Sequence, residues 1–257
     1  MIKRNFKNSA VAALMASAML IGAGSASATV VDLINGNSGT INGGVFQFTQ
    51  PQPTGTGVIQ PFLRVQNDPA EQGYNTSGGT PFDDKAGPWT HNIQFSDLQA
   101  STVSMNGTTY FKLLLDVNEP NGAKSTISLD QLQFYTSSQG SQTTTNVSSL
   151  GTLRYTFGSG DQVNLDASRN HGSGSGDMYA YIPTSAFAGT NANDYVYMYV
   201  KFGNSDYTSA GGFEEWAIVN NMTPVPEMSA LFPILGLMVA VLSTNVLRRR
   251  RMARMSA

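Results

Sequence analysis

Three stretches of the chain carry residues whose types and spacing could do chemistry. The first is DYVYMYVKF, Asp194 to Phe202. A strand has a side-chain period of two, so Tyr195, Tyr197, Tyr199 and Lys201 share one face, and Val196, Met198, Val200 and Phe202 share the other. The aliphatic face belongs to a core. The tyrosine face is either a flat platform for sugar rings, whose C–H groups stack on aromatic faces, or a stripe packed under a loop or a second sheet. The second stretch is LLLDVNEP, Leu113 to Pro120. It puts Asp116, Asn118 and Glu119 at a strand end, and Asp130 joins them if the next strand folds back. Hard oxygen donors of this kind suit Ca²⁺, and solvated turn acids are the competing reading. The third is GGFEEWAIV, Gly211 to Val219. Glu214-Glu215 invites a glycosidase reading, in which two carboxylates flank the scissile bond. Neighbouring strand residues point to opposite faces, however, so this pair cannot act together. The structural alternative is a closing strand with Trp216 in the core.

Other chemistries find little support. The chain has no cysteine, hence no disulfide, thiolate ligand or cysteine nucleophile. Its two histidines, His91 and His171, lie outside any G-x-S-x-G context, and no H-E-x-x-H, P-loop or dinucleotide motif occurs. Between Thr29 and Thr223, Arg64, Lys85, Lys112, Lys124, Arg154, Arg169 and Lys201 are the basic residues, against sixteen acidic ones. A region this acidic repels phosphate backbones, which argues against nucleic acid as a partner.

The elements that position these residues read as strands. Charged residues make up only 12% of the 257, with 26 glycines and many Ser, Thr, Asn and Gln. Short apolar–polar runs bounded by Gly, Asn, Asp and Pro predict strands over 30–34, 44–49, 58–65, 91–95, 101–105, 108–117, 126–135, 151–157, 162–165, 178–182, 194–202 and 213–219. Asn106-Gly107 is a two-residue hairpin signal, and 183–187 reads as one helical turn. The expectation is an all-β fold, a single antiparallel β-sandwich of jelly-roll type, spanning residues 29–223. Pro51 to Gly57, Gly73 to Pro81 and HGSGSG (171–176) read as surface loops.

Both ends read as addresses. Residues 1–28 have a basic start, an apolar stretch and a small-residue Ala26-Ser27-Ala28, the pattern of a secretory signal peptide cut before Thr29. Near the other end, Ala230 to Leu247 is an apolar segment at the short limit for a bilayer span, and Arg248, Arg249, Arg250 and Arg251 follow it. Arginines so placed stay on the cytoplasmic side. Val225-Pro226-Glu227, the apolar helix and the arginine cluster, in that order within residues 224–257, resemble the PEP-CTERM sorting signal of Gram-negative bacteria. Met228 stands where that family usually has a second proline. The resemblance implies processing by an exosortase near Glu227, a cell-surface or extracellular destination, and an association with exopolysaccharide and biofilm.

Two functional readings stay open on the residues. One is a non-enzymatic surface or matrix protein with carbohydrate binding. The other is a glycan-active hydrolase or lyase on a sandwich scaffold.

Overall fold

The computed structural model describes residues 27–49, 60–170, 175–204 and 206–219. Most of the predicted signal peptide, all of the predicted 51–57 loop, most of the predicted 171–176 loop, Val225–Glu227, the 230–247 segment and Arg248–Arg251 lie outside the described residues. Among the described residues, no helix is long and apolar enough to cross a membrane.

Fourteen strands follow one another along the described chain. They are β1 (Val30–Asp32), β2 (Ser38–Ile41), β3 (Gly44–Phe48), β4 (Pro61–Val65), β5 (Glu71–Tyr74), β6 (Ile93–Gln94) and β7 (Thr102–Met105). Then come β8 (Thr108–Val117), β9 (Thr126–Ser137), β10 (Thr152–Thr156), β11 (Gln162–Asp166), β12 (Met178–Pro183), β13 (Tyr195–Phe202) and β14 (Glu214–Ile218). One short helix, α1 (Phe95–Gln99), follows β6. The protein is all-β, built from two sheets.

The first sheet runs β1-β11-β9-β13-β5, with β10 paired to β9 and β6 to β13. The second runs β2-β3-β12-β8-β14-β4, with β7 paired to β8. Every described ladder is antiparallel except β1 on β11. Alternation works as strand geometry demands. Phe134, Val196, Met198 and Val200 of the first sheet meet Phe46, Leu113, Leu115 and Trp216 of the second in one core, each fully buried.

The predicted strands recur with shifted ends, apart from 91–95. There Gln94 and Asp97 form a reciprocal capping box, so the chain turns into α1 after two strand residues. Strands β2 and β5 were not predicted, because SGTI and EQGY are short and polar. Asn42-Gly43, with φ of 46° and 79°, closes the β2–β3 hairpin just as Asn106-Gly107, at 50° and 81°, closes β7–β8. Residues 184–187 form the anticipated helical turn.

Between β5 and β6 a side chain does the work of a strand. Asn75 donates to Val196 O at 2.8 Å and accepts from Met198 N at 2.6 Å, so it pairs with β13 where no backbone neighbour does. It is fully buried.

Candidate functional site

The predicted sugar platform is closed. Tyr197 and Tyr199 do lie on the face of β13 away from the core, but they are 0% and 5% exposed. With Tyr74, Tyr135 and Leu150 they form a second apolar cluster, against which Tyr195 is half-buried. The segment 138–150, which joins β9 to β10, folds back as a strap over them. Tyr197 Oη donates to Gln139 O at 2.7 Å and Tyr74 Oη to Thr144 O at 2.9 Å. Tyr199 Oη donates to Gln72 Oε1 at 2.5 Å. The rings meet edge to face, Tyr74 on Tyr197 at 5.9 Å and Phe82 on Tyr199 at 5.9 Å. Tyr195 and Tyr197 therefore pack under the 138–150 strap, and Tyr199 is spent on Gln72 and Phe82.

The predicted calcium set is dispersed. The expectation required β9 to fold back beside β8, and instead the chain crosses between sheets from Val117 to Thr126. Asp116 stays in the second sheet, where Oδ1 accepts from Gly176 N at 3.2 Å and Oδ2 from Asn118 Nδ2 at 3.0 Å. Glu119 turns to Ser209 Oγ at 2.9 Å and to the Ala210 amide. Asp130 belongs to the first sheet, in the surroundings of Ser128, Asn204 and Lys201. No group of three or more His, Asp or Glu residues converges on a metal position among the described residues.

Glu214 and Glu215 point to opposite faces of β14. Glu215 faces outward and accepts from Arg64, with Nε at 2.7 Å and Nη2 closer still. The Arg64 guanidinium also lies between two rings, 4.4 Å from the centroid of Trp89 and 4.6 Å from that of Phe213. Glu214 faces inward with Trp216 and is 0% exposed. There it comes within hydrogen-bonding reach of Glu71 of β5, from the other sheet, which is 1% exposed. Two carboxylates are acceptors only, so this contact requires a proton between them. Burial drives both titrations up, Glu71 to about 7 and Glu214 well above the ordinary carboxylate value. Glu119 adds repulsion to both, Asp83 to Glu71, and Asp116 to Glu214. Glu71 had no role in the sequence reading, since β5 itself was missed. The signal lay in Glu214, an acid in phase with a core tryptophan, which needs a partner from the facing sheet.

The outer face of the second sheet brings together residues that the sequence reading passed over. Register places Tyr179 beside Leu114, Tyr181 beside Lys112, and Asp116 beside Glu215. Lys112 Nζ sits 3.7 Å from the ring centroid of Tyr179, and Tyr110 meets Tyr181 edge on at 6.4 Å. Burial pushes the Lys112 ammonium's pKa down. Tyr110 and Tyr179 are half-buried, and Trp89, at the β4 end of this face, is 41% exposed. Next to Trp89, a cavity of about 290 Å³ is lined by Thr76, Ser77, Gly79, Gly87, Thr90 and His91, among others. This is the described surface where aromatic rings and polar groups converge. No family model, curated protein or solved structure matches the chain. The face must therefore be read from its own chemistry: ring faces backed by fixed cations, hydroxyls at the ring edges, and a recess of mixed polarity beside an exposed indole. Such a set can stack on pyranose rings and hydrogen-bond their hydroxyls. His91 makes no triad here, and His171 lies outside the described residues.

Proposed function

We propose that this chain is an exported, non-enzymatic envelope protein of a Gram-negative bacterium that is sorted by an exosortase and binds polysaccharide through the outer face of its second sheet. The observation that carries the binding reading is the aromatic face itself, with Tyr110, Tyr179 and Trp89 at or near the surface and Lys112 and Arg64 set against their rings. The strand order supports a jelly-roll reading of the sandwich. The runs β4-β14-β8-β12 and β5-β13-β9-β11 alternate between sheets as two interlocked Greek keys do, and lectin domains use that architecture. Fold alone assigns no function, so the weight rests on the face. Binding rather than hydrolysis is favoured because Glu214 is sealed against Glu71 and Glu215 is held by Arg64. Export and sorting rest on the sequence patterns at the two ends, with Pro226 and Glu227 as the recognition element.

The test is retention on a panel of immobilised bacterial polysaccharides, with reducing-end release followed in parallel. Tyr179→Ala and Trp89→Ala should each weaken retention about tenfold, the loss of one stacking contact, with melting unchanged. Retention unaffected by both substitutions refutes the face. Release of reducing ends that Glu215→Gln abolishes would favour the glycan-active alternative.

A further inference from the structure

The beginning of the described chain meets a carboxylate that lacks a cation. Asp161 is 9% exposed and lies in the turn before β11. Its Oδ2 accepts from Gly158 N at 2.6 Å and its Oδ1 from Thr29 N at 2.7 Å. Among the described residues no basic side chain pairs with it, and the ion pair is Arg64–Glu215. Tyr155 is an ionisable group that feels Asp161, and its hydroxyl is spent on Ile41 O at 2.6 Å. A carboxylate withdrawn from water normally finds a cation or several donors, and here two backbone amides are the donors present.

The second observation is independent of the first. Ala26-Ser27-Ala28 is the small-residue pattern at which a signal peptidase would cut, and the nitrogen it would free is that of Thr29. We propose that cleavage before Thr29 supplies the missing cation: the new α-ammonium of the exposed Thr29 forms a part-buried ion pair with Asp161 and locks the N-terminal strand into the first sheet. This rests on the signal-peptide reading. Water adds across the Ala28–Thr29 amide bond, Ala28 leaves as a carboxylate, and Thr29 becomes an ammonium with three donors in place of one. Room for them exists, since a cavity of about 370 Å³ lies between Thr29, Asn42, Gly158 and Asp161. The rest of the attachment is already made. Gln162 N donates to Thr29 O at 3.0 Å, and β1 then pairs in parallel with β11 from Val30 onward. The amide–carboxylate bond already carries one charge, and the ammonium adds the opposite charge at the same 2.7 Å separation.

The experiment compares two forms of the chain running from this end to Ala257, purified in detergent. One is released from a fusion with Thr29 as its first residue, and the other keeps residues 24–28. The free form should melt about 1–3 °C higher near pH 6.5, and Asp161→Asn should erase the difference. Equal melting, or a gap that survives Asp161→Asn, overturns the pairing. Should Asp161→Asn fail to fold, the titration of the Thr29 amine in the unsubstituted protein decides. A midpoint clearly above the ordinary α-amino value of about 8 supports the pair, and an ordinary one refutes it. N-terminal sequencing of the exported protein tests the other half. A first residue other than Thr29 overturns the processing step, whatever the melting comparison gives.

Discussion

At the scale of single residues, the Glu71–Glu214 contact ties stability to pH. Both carboxyls titrate higher in the folded protein than in the unfolded chain, so the native state holds protons that the unfolded state would release. Their contribution is complete below the ordinary carboxylate value and is lost as pH rises through the folded one, about 7 for Glu71. The unfolding free energy from urea titrations should therefore fall between about pH 5 and 7, by up to about 1.4 kcal/mol per pH unit for each proton released. Glu214→Gln should flatten that slope, because an amide donates to Glu71 without needing a proton. Unchanged slopes would dismiss the shared proton. Burial also raises Asp84, Glu119, Asp130, Asp177 and Glu215, so a residual slope of the same sign remains. The sequence shows the split of Glu214 from Glu215 directly, because it follows from a period of two. It hides Glu71, because contact between facing sheets leaves no local pattern.

At the scale of elements, the short polar pieces carry more than their composition suggests. Asn75 bridges β5 and β6 by pairing with β13, and its replacement strands a buried carbonyl and a buried amide. Asn75→Ala should cost about 2–4 kcal/mol, counting about 1–3 kcal/mol for each group left unpaired with partial relief by water. Chemical denaturation measures this, and a loss below about 0.5 kcal/mol would mean that the backbone closes the gap unaided. Its Asn-Thr-Ser context matches a glycosylation acceptor, yet a fully buried side chain cannot serve as one. The long strands β8 and β13 were legible from alternation over eight or more residues. SGTI and EQGY were not, since neither has an apolar rhythm, although Asn42-Gly43 marked the hairpin that contains the first.

At the scale of the molecule, what the sequence withheld was connection. A dozen strands and their faces could be read from runs and turns, but nothing local says that β8 and β9 part into different sheets. That crossing scattered Asp116, Asn118, Glu119 and Asp130, while the fold-back of 138–150 covered Tyr197 and Tyr195, and Gln72 and Phe82 took up Tyr199. The face that gathers Tyr110, Tyr179 and Trp89 emerges only once β12 is laid beside β8 and β4 beside β14. Sorting belongs to this scale too, because it concerns where the whole sandwich is delivered. Replacing Pro226 and Glu227 by Ala in the native host should leave the tail attached and the protein in the inner membrane, as read by fractionation and intact mass. Normal processing of that variant would discard the sorting proposal.

The strap over the tyrosine cluster is held chiefly through its main chain. Tyr197, Tyr74 and Thr76 all donate to backbone carbonyls, those of Gln139, Gln142 and Thr144, so these bonds are indifferent to which side chains the strap carries. Gly140 and Leu150 are exceptions, since a Cβ at the first would lie 2.6 Å from the Tyr195 ring and the second is buried in the tyrosine cluster. Thr143, Thr145 and Ser148 point to solvent. Those three positions can diverge quickly between lineages, or accept a grafted epitope, while the sandwich beneath them stays the same.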